Sequence, residues 1–470
     1  MPSATSGWNK ALARKGQLDG KFLIGDMKAG IYGLPSCTVR LPKDEDVQLF
    51  TTETSAKNAG LRPCKICRPD RFHDGGKASL TLFHDLQRGF STSPTEFASL
   101  HDLAQRANLP ADQLEDLFRD HAHMTAAQWL RRVQARRAAE GIVAARPPEF
   151  AGADAGFPST KIFEEAFIAE YAMLPSEYSV MDVKKGFALH LPESYRPDEA
   201  VGYHGRDANS PSERAEGRRI WKALHTADGP AIIEIAIGSD RATVKVTTEK
   251  NLGRESMAFL QRSALRMLGL SNDISAFEER HPEIVKTRRG LRVPLLPSAF
   301  DALCWAITGQ QINLAFAATL RRDMINLAGE KIHGMRVHPT AGQLANLGIE
   351  PLRKIRYSGS KANYMISFAE QIAGGHLDIE GLIDGSAVAA QEALVSQKGV
   401  GIWTARYVMM RTGFADAAPV GDSGLATALQ RLYPSEARPD AEEAGRLMFR
   451  FSPHRSLASV HLWASLADEK

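Results

Sequence analysis

Asp422 is the side chain in this sequence best placed to do chemistry. It lies twenty-one residues after Gly401 in the stretch LVSQKGVGIWTARYVMMRTGFADAAPVGDSGL, residues 394–425. Gly399 and Gly401 mark a tight turn, because glycine permits positive φ and close approach of another backbone. An apolar helix follows the turn. Amides exposed where Thr404 and its neighbours open that helix can hold a phosphate without a cationic side chain. Trp403 and Tyr407 are four residues apart and share one helix face. An aromatic pair beside a carboxylate can stack on a flipped, cationic base while the acid waits at the sugar. Taken alone, the same residues also describe an ordinary helical hairpin with aromatic core positions.

The elements that must position these residues narrow the reading. Upstream stands GLRVPLLPSAFDALCWAITGQQINLAF (290–316), then a K-A-x-Y element at Lys361 to Tyr364, and near the end SPHRSLASVHLW (452–463). In this order and spacing the set resembles the AlkA class of 3-methyladenine DNA glycosylases, over roughly residues 179–467. The resemblance implies a monofunctional hydrolase that flips alkylated bases from duplex DNA and leaves an abasic site, in base excision repair.

Position by position, the resemblance makes Asp422 the catalytic acid and Trp403, Tyr407 and Trp463 the base pocket. It places Gln311 as the wedge that fills the gap left by the base. Lys398, Gly399, Gly401 and Thr404 become the DNA-gripping turn. Arg455 matches an arginine of the closing motif, with a structural role or a DNA contact both open. Three positions depart from the family. Lys398 stands where proline usually precedes the first glycine, the wedge is a polar glutamine, and Phe451 replaces a tryptophan. Relatives that also nick the strand carry a lysine two residues after the second glycine. Trp403 occupies that position, so no Schiff-base nucleophile is supplied there.

The N-terminal region carries a second resemblance. The stretches DGKFLIGDMKAGIYGLPSC (19–37), LPK at Leu41 and GLRPCKICRPD (60–70) look like the zinc domain of Ada. In that family four thiolates hold zinc and one accepts a methyl group from a DNA phosphotriester. Here the first position of the acceptor motif is Gly33, which leaves Cys37, Cys64 and Cys67. His73 or a water is the candidate fourth ligand of a structural zinc. Glycine supplies no thiolate, so methyl transfer by the family route is not expected. Cys304, on an apolar helix far along the chain, reads as core.

Between these ends, SLHDLAQRANLPADQLEDLFRDHAHMTAAQWLRRV (99–133) has the helix-turn-helix pattern of AraC-type regulators, with a weaker copy at residues 155–178. In that family the second helix of each unit enters the major groove. Here the first such helix carries Asp112, Glu115, Asp116 and Asp120 against Arg119, and the second carries Glu164 and Glu165 against Lys161. Acidic groups facing phosphates weaken binding, so either these helices are rotated with their acids towards solvent or the module no longer reads DNA, and the second is the expectation. The alternative is an alkylation-responsive transcriptional regulator, or a damage binder without turnover.

The expected fold class is multidomain and predominantly α. A small zinc-binding-like α/β domain (1–75) precedes an AraC-type double helix-turn-helix (80–178). An AlkA-like α+β lobe (179–285) follows, its strands read from IIEIAI and ATVKVTT, and then a helical helix-hairpin-helix core (286–470). DGGKAS (74–79) and Pro147–Pro148 are expected breaks. The lobe also contains YHGRDANSPSER (203–214), for which loop packing is the plain reading.

Composition adds bounds. The net charge of +3 says little about partners. Local runs say more: Arg131, Arg132, Arg136 and Arg137, and Lys286, Arg288, Arg289 and Arg292, are candidate phosphate tracks or solvated faces. No apolar run approaches the roughly 18 residues of a membrane span. The first residues lack the apolar core of a secretion signal, and four cysteines suit a reducing compartment. The expectation is a cytoplasmic monomer acting on duplex DNA with alkylated bases, with no membrane partner and no cofactor for catalysis.

Overall fold

The computed structural model describes residues 22–37, 46–50, 52–72, 77–286 and 288–467. His73 and the LPK segment lie outside them. The chain divides into two compact units, residues 1–85 and 86–470.

The first unit is built on a four-stranded sheet of order β3-β1-β2-β4. Its strands are β1 (Leu23–Asp26), β2 (Ile31–Gly33), β3 (Val47–Phe50) and β4 (Arg62–Pro63). Leu23, Tyr32, Leu34, Phe50, Ala56 and Leu61 form its small core. β2 and β4 run parallel with Tyr32 opposite Pro63, and the Cys64 amide donates to the Tyr32 carbonyl at 2.7 Å. This register brings the end of β2, at Gly33, beside the cysteines that follow β4.

Early in the second unit, after the end of a helix that runs from Lys77 to Thr92, come α1 (Leu100–Ala107), α2 (Ala111–Ala122) and α3 (Ala126–Val143). Their ends are written in the sequence. Ser99 and Asp102 form a capping box at the start of α1, and Asn108 ends that helix in the left-handed region. Thr125 and Gln128 do the same for the start of α3. Phe118 of α2 packs on Trp129 of α3 with ring centroids 4.7 Å apart. The second copy begins earlier than the expected residue 155, since a shorter helix, Pro148–Asp154, precedes α4 (Thr160–Tyr171). The expected break at residues 74–79 is in part helical, since a helix runs from Lys77 to Thr92.

A five-stranded antiparallel sheet follows, of order β5-β9-β8-β7-β6. The strands are β5 (Phe187–His190), β6 (Glu213–Glu216), β7 (Arg219–Thr226), β8 (Gly229–Ile237) and β9 (Arg241–Thr248), with α5 (Arg254–Met267) against one face. One continuous apolar core takes in Ala138 and Ile142 of α3, Phe163 and Phe167 of α4, Ile233 and Ile235 of β8, and Leu260 of α5. Helix α3, the second copy and the sheet therefore bury apolar surface together, which ties them into one body.

The helical core comprises α6 (Ala299–Gly309), α7 (Leu314–Ala328), α8 (Gly359–Ala373), α9 (Ala387–Val395), α10 (Ile402–Thr412), α11 (Ser423–Leu432) and α12 (Arg455–Ser465), with shorter helices between them. α6 is buried along nearly its whole length, and Cys304 sits there at 1 % exposure. A buried ionic network joins sheet to helices. Lys222 of β7 donates to Glu213 at 3.2 Å and to Asp301 of α6 at 3.4 Å, and Arg321 of α7 donates to both Asp301 oxygens at 2.9 Å. Buried charges of this kind hold only when each is paired. Here the pairing fixes the sheet against the helices that carry the site.

Candidate active site

Asp422 is the N-cap of α11. Its Oδ1 accepts from the Leu425 amide at 2.8 Å and from Trp463 Nε1 of α12 at 3.0 Å. The capping bond follows from carboxylate preference for a helix N-terminus, where the macrodipole also favours negative charge. Both bonds fall on Oδ1, and Oδ2 accepts neither of them.

Trp463 belongs to an aromatic cluster held together by Arg411 and Arg206. Trp403 and Tyr407 stack with centroids 5.6 Å apart and planes 23° from parallel. Trp305 Nε1 donates to the Tyr407 hydroxyl at 3.0 Å, fixing that ring from α6. The Arg411 guanidinium lies 5.6 Å from the Tyr407 ring, 5.8 Å from Trp463 and 4.2 Å from Tyr203. Arg206 covers Tyr203 at 4.0 Å and Trp305 at 4.8 Å. Burial raises the Tyr407 hydroxyl pKa, but Arg411 and Arg206 outweigh it and the net shift is downward.

Tyr203, Arg206, Trp305 and Arg411 are the part of this cluster that motif reading missed. Arg411 continues the four-residue ladder of Trp403 and Tyr407 along α10, which is a signal in plain view. Tyr203 and Arg206 lie in the YHGRDANSPSER segment, more than two hundred positions before Asp422, and nothing local marks them as partners of the site.

The turn between α9 and α10 forms a second feature. Gly399 has φ +90°, and a Cβ there would lie 2.3 Å from the Tyr364 ring. Only glycine fits, on both counts. Gly401 has no atom within 4 Å of where its Cβ would be, so its need for glycine is not internal. Gln310 Nε2 donates to the Gly399 carbonyl at 2.9 Å and to Thr404 Oγ1 at 3.0 Å, bracing the turn. Thr404 is thus a buried brace rather than a side chain offered to DNA, although its amide still belongs to the first turn of α10. Lys398 is exposed. Lys361 Nζ donates to the Thr308 carbonyl at 2.8 Å, and burial lowers its pKa. Gln310, Lys361, Tyr364, Gly399 and Gly401 line a groove of ≈ 550 Å³ together with Gln311. Gln311 sits exposed at the corner between α6 and α7 with φ +56°.

Other residues singled out in the sequence have internal partners. Arg455 holds Asp416 through Nε at 2.7 Å and Nη2 at 2.8 Å, a structural bond. Phe451 is fully buried. Arg132 and Arg136 both pair with Glu170, Arg137 pairs with Glu140, and Arg131 donates to Gln134. Arg288 donates to the Ala464 carbonyl, Arg289 pairs with Glu278, and Arg292 donates to the Asn272 carbonyl. Arg132 and Arg136 tie α3 to α4, Arg131 and Arg137 pair within α3, and Arg288, Arg289 and Arg292 hold the segment before α6 to its neighbours.

In the first unit, Cys37, Cys64 and Cys67 bring their Sγ atoms within 4.8 Å of one another. Cys37 and Cys64 sulfurs are 3.7 Å apart. A tetrahedral zinc with Zn–S of about 2.3 Å requires edges of about 3.8 Å, so the three thiols fit that ion.

Comparison with known proteins agrees with this layout. Residues 6–70 match the metal binding domain of Ada, residues 103–180 a helix-turn-helix domain, and residues 304–453 the HhH-GPD superfamily base excision DNA repair protein. A DNA-3-methyladenine glycosylase of Bacillus subtilis is 27 % identical over 298 residues, covering 61 % of this chain and 98 % of that protein. A probable bifunctional transcriptional activator/DNA repair enzyme AlkA of Mycobacterium tuberculosis is 24 % identical over 485 residues, covering 97 % of this chain and 95 % of that one. The solved 3-methyladenine DNA-glycosylase of Archaeoglobus fulgidus shares the fold at a TM-score of 0.53 and 22 % identity, covering 59 % of this chain and 97 % of that one.

Proposed function

We propose that this chain, in which an Ada-type metal-binding domain and a helix-turn-helix domain precede an HhH-GPD domain, is a DNA glycosylase of alkylation repair. It acts as a monomer in the cytoplasm, flips an alkylated base from duplex DNA and hydrolyses its N-glycosidic bond. The observation that carries this reading is Asp422, pinned through one oxygen by a helix amide and the Trp463 indole, with Arg411 linking Trp463 to the Trp403–Tyr407 stack.

The chemistry follows from that placement. An N-alkylated purine already carries positive charge and leaves without strong acid assistance. The group that needs help is the oxocarbenium-like sugar, which Asp422 stabilises electrostatically while water adds. Trp403, Tyr407 and Trp463 supply π-surface for the flipped base. Gln311 fills the vacated stack. The first amides of α10 and the open side of Gly401 receive a phosphate, and Lys398 adds charge beside it. Trp403 stands where a Schiff-base lysine would be needed, so the product is an abasic site without strand cleavage.

The test is release of free methylated bases from alkylated duplex DNA by the wild type and by Asp422→Asn. Release that collapses in the variant while DNA binding persists supports the reading. A folded wild type that releases no base would falsify it, and strand cleavage alongside base release would overturn the assignment of hydrolysis without a Schiff base.

A further inference from the structure

We infer that the three-thiolate site of the first unit holds zinc with one exchangeable coordination position, open at Gly33, which takes a small external thiol. The observation is the direction of the missing side chain. Gly33 closes strand β2, and a Cβ built on it would lie 3.1 Å from Cys67 Sγ, 3.4 Å from Cys64 Cβ and 3.6 Å from Cys37 Cβ. All three nearest atoms belong to the three thiol residues. Gly33 therefore faces the metal position itself, and a side chain there would enter the coordination sphere.

The sulfurs occupy three corners of a tetrahedron. Cys64 is placed by its amide bond to the Tyr32 carbonyl at 2.7 Å, and Cys37 by its amide bond to the Leu34 carbonyl at 2.9 Å. The Leu34 amide donates to Cys67 Sγ at 3.2 Å. Backbone geometry thus fixes all three sulfurs, and the missing side chain at Gly33 leaves the fourth corner to something that is not part of β2.

Three protein ligands plus one open position is the arrangement of exchangeable zinc sites, whereas closed sites use four protein ligands. Three thiolates on a dication leave a net charge of −1. The site can then take a neutral water at rest or a further thiolate, which completes a four-sulfur sphere. Among small ligands, sulfur matches the softness of this donor set best. Binding exchanges water for thiolate and releases the thiol proton, with no redox step.

The experiment loads the full-length chain with cobalt(II) in place of zinc and follows its visible absorption, which reports the number of sulfurs bound. Titration with 2-mercaptoethanol is expected to shift and strengthen the bands saturably, with one cobalt per chain. Gly33→Ala, whose methyl group enters the open corner, is expected to blunt the shift. Gly33→Cys is expected to show the strengthened spectrum without added thiol and no further response. His73→Ala serves as the control and is expected to respond as the wild type does. An unresponsive wild type overturns the proposal. So does a response that appears only in His73→Ala, because a protein side chain would then own the fourth corner. Failure to bind cobalt at all overturns it as well. Base release plays no part in these readouts, so the result is independent of the glycosylase reading.

Discussion

Two helical hairpins of the second unit, α9–α10 and α1–α2, have opposite fates. The α9–α10 hairpin leaves its turn open to solvent, lined by Gly401, Lys398 and the amides of a helix N-terminus. The α1–α2 element turns the end of its second helix inward. His121 of α2 is 1 % exposed, with Nδ1 2.7 Å from the Ser386 hydroxyl at the start of α9. His123 Nδ1 accepts from the Asp416 amide at 3.1 Å and its ring meets Phe414 edge-on. Arg136 of α3 reaches Asp384, and Arg132 reaches the Ser271 carbonyl. The outward face of α2 keeps Asp112 and half-exposed Asp116.

The difference teaches that two helical hairpins of similar outline can differ in what their backbone leaves unpaired, and that is the property on which a phosphate contact depends. The dock at Ser386 sits at the first end of α9 and the open turn at its last. Those ends are about 13 Å apart at 1.5 Å per residue. The helix-turn-helix module thus braces the hairpin from the far end and leaves its glycine turn clear. A reader helix held in this way would have to give up its contacts with the core before entering a groove.

The comparison can be broken or sharpened by experiment. Gly399→Ala should do the most damage, since it forces a methyl group into Tyr364 at a positive φ, and duplex affinity should fall about 100-fold. Fluorescence anisotropy checks this, and near-wild affinity would refute the account of the turn. Gly401→Ala meets no internal atom, so the melting temperature should hold while affinity drops by about tenfold. Equal loss of both quantities would mean that Gly401 matters for folding.

His121→Ala should act the other way. It removes a buried hydrogen bond and destabilises the chain by about 1–3 kcal/mol, while base release by the folded fraction stays unchanged. Denaturant unfolding and single-turnover kinetics would separate the two.

The dock should also weaken on acidification. Burial, only partly offset by Asp416, pushes the His123 pKa down to about 4. Its folded value is therefore below the unfolded value near 6.5. The unfolded chain takes up a proton first, so this contribution is fully present above about pH 6.5 and is lost as pH falls towards 4. His338 and His461, also buried and pushed down to about 4, add the same sign. His123→Phe should flatten part of this slope in pH-dependent melting.

The smallest effect is expected from Asp112→Lys with Asp116→Lys, which should change duplex affinity less than about threefold if that face looks away from DNA. A large gain in affinity would place the face against the duplex and dissolve the contrast.

Much of this was legible in residue order. The capping residues Ser99, Asn108 and Thr125 announce their helices, and IIEIAI and ATVKVTT lie within β8 and β9. Trp403, Tyr407, Asp422 and the glycine turn are local enough to be read from spacing. The arginine runs were not, because their meaning depends on acids such as Glu170, Glu278 and Asp384 that lie well away in sequence.

By itself the sequence determined the elements, the turn that only glycine can make, the carboxylate at a helix start, and the three cysteines left by Gly33. Each of these depends on dihedral preference or on spacing within a few turns of chain. Only the tertiary structure decided that Trp463 orients Asp422, that Tyr203 and Arg206 reach the aromatic cluster, and that α2 ends on the hairpin's own helix. It also decided that Gly33 points at the sulfurs rather than away from them. Such facts rest on which surfaces exclude water against each other, and burial is non-directional along the chain, so no local pattern encodes them.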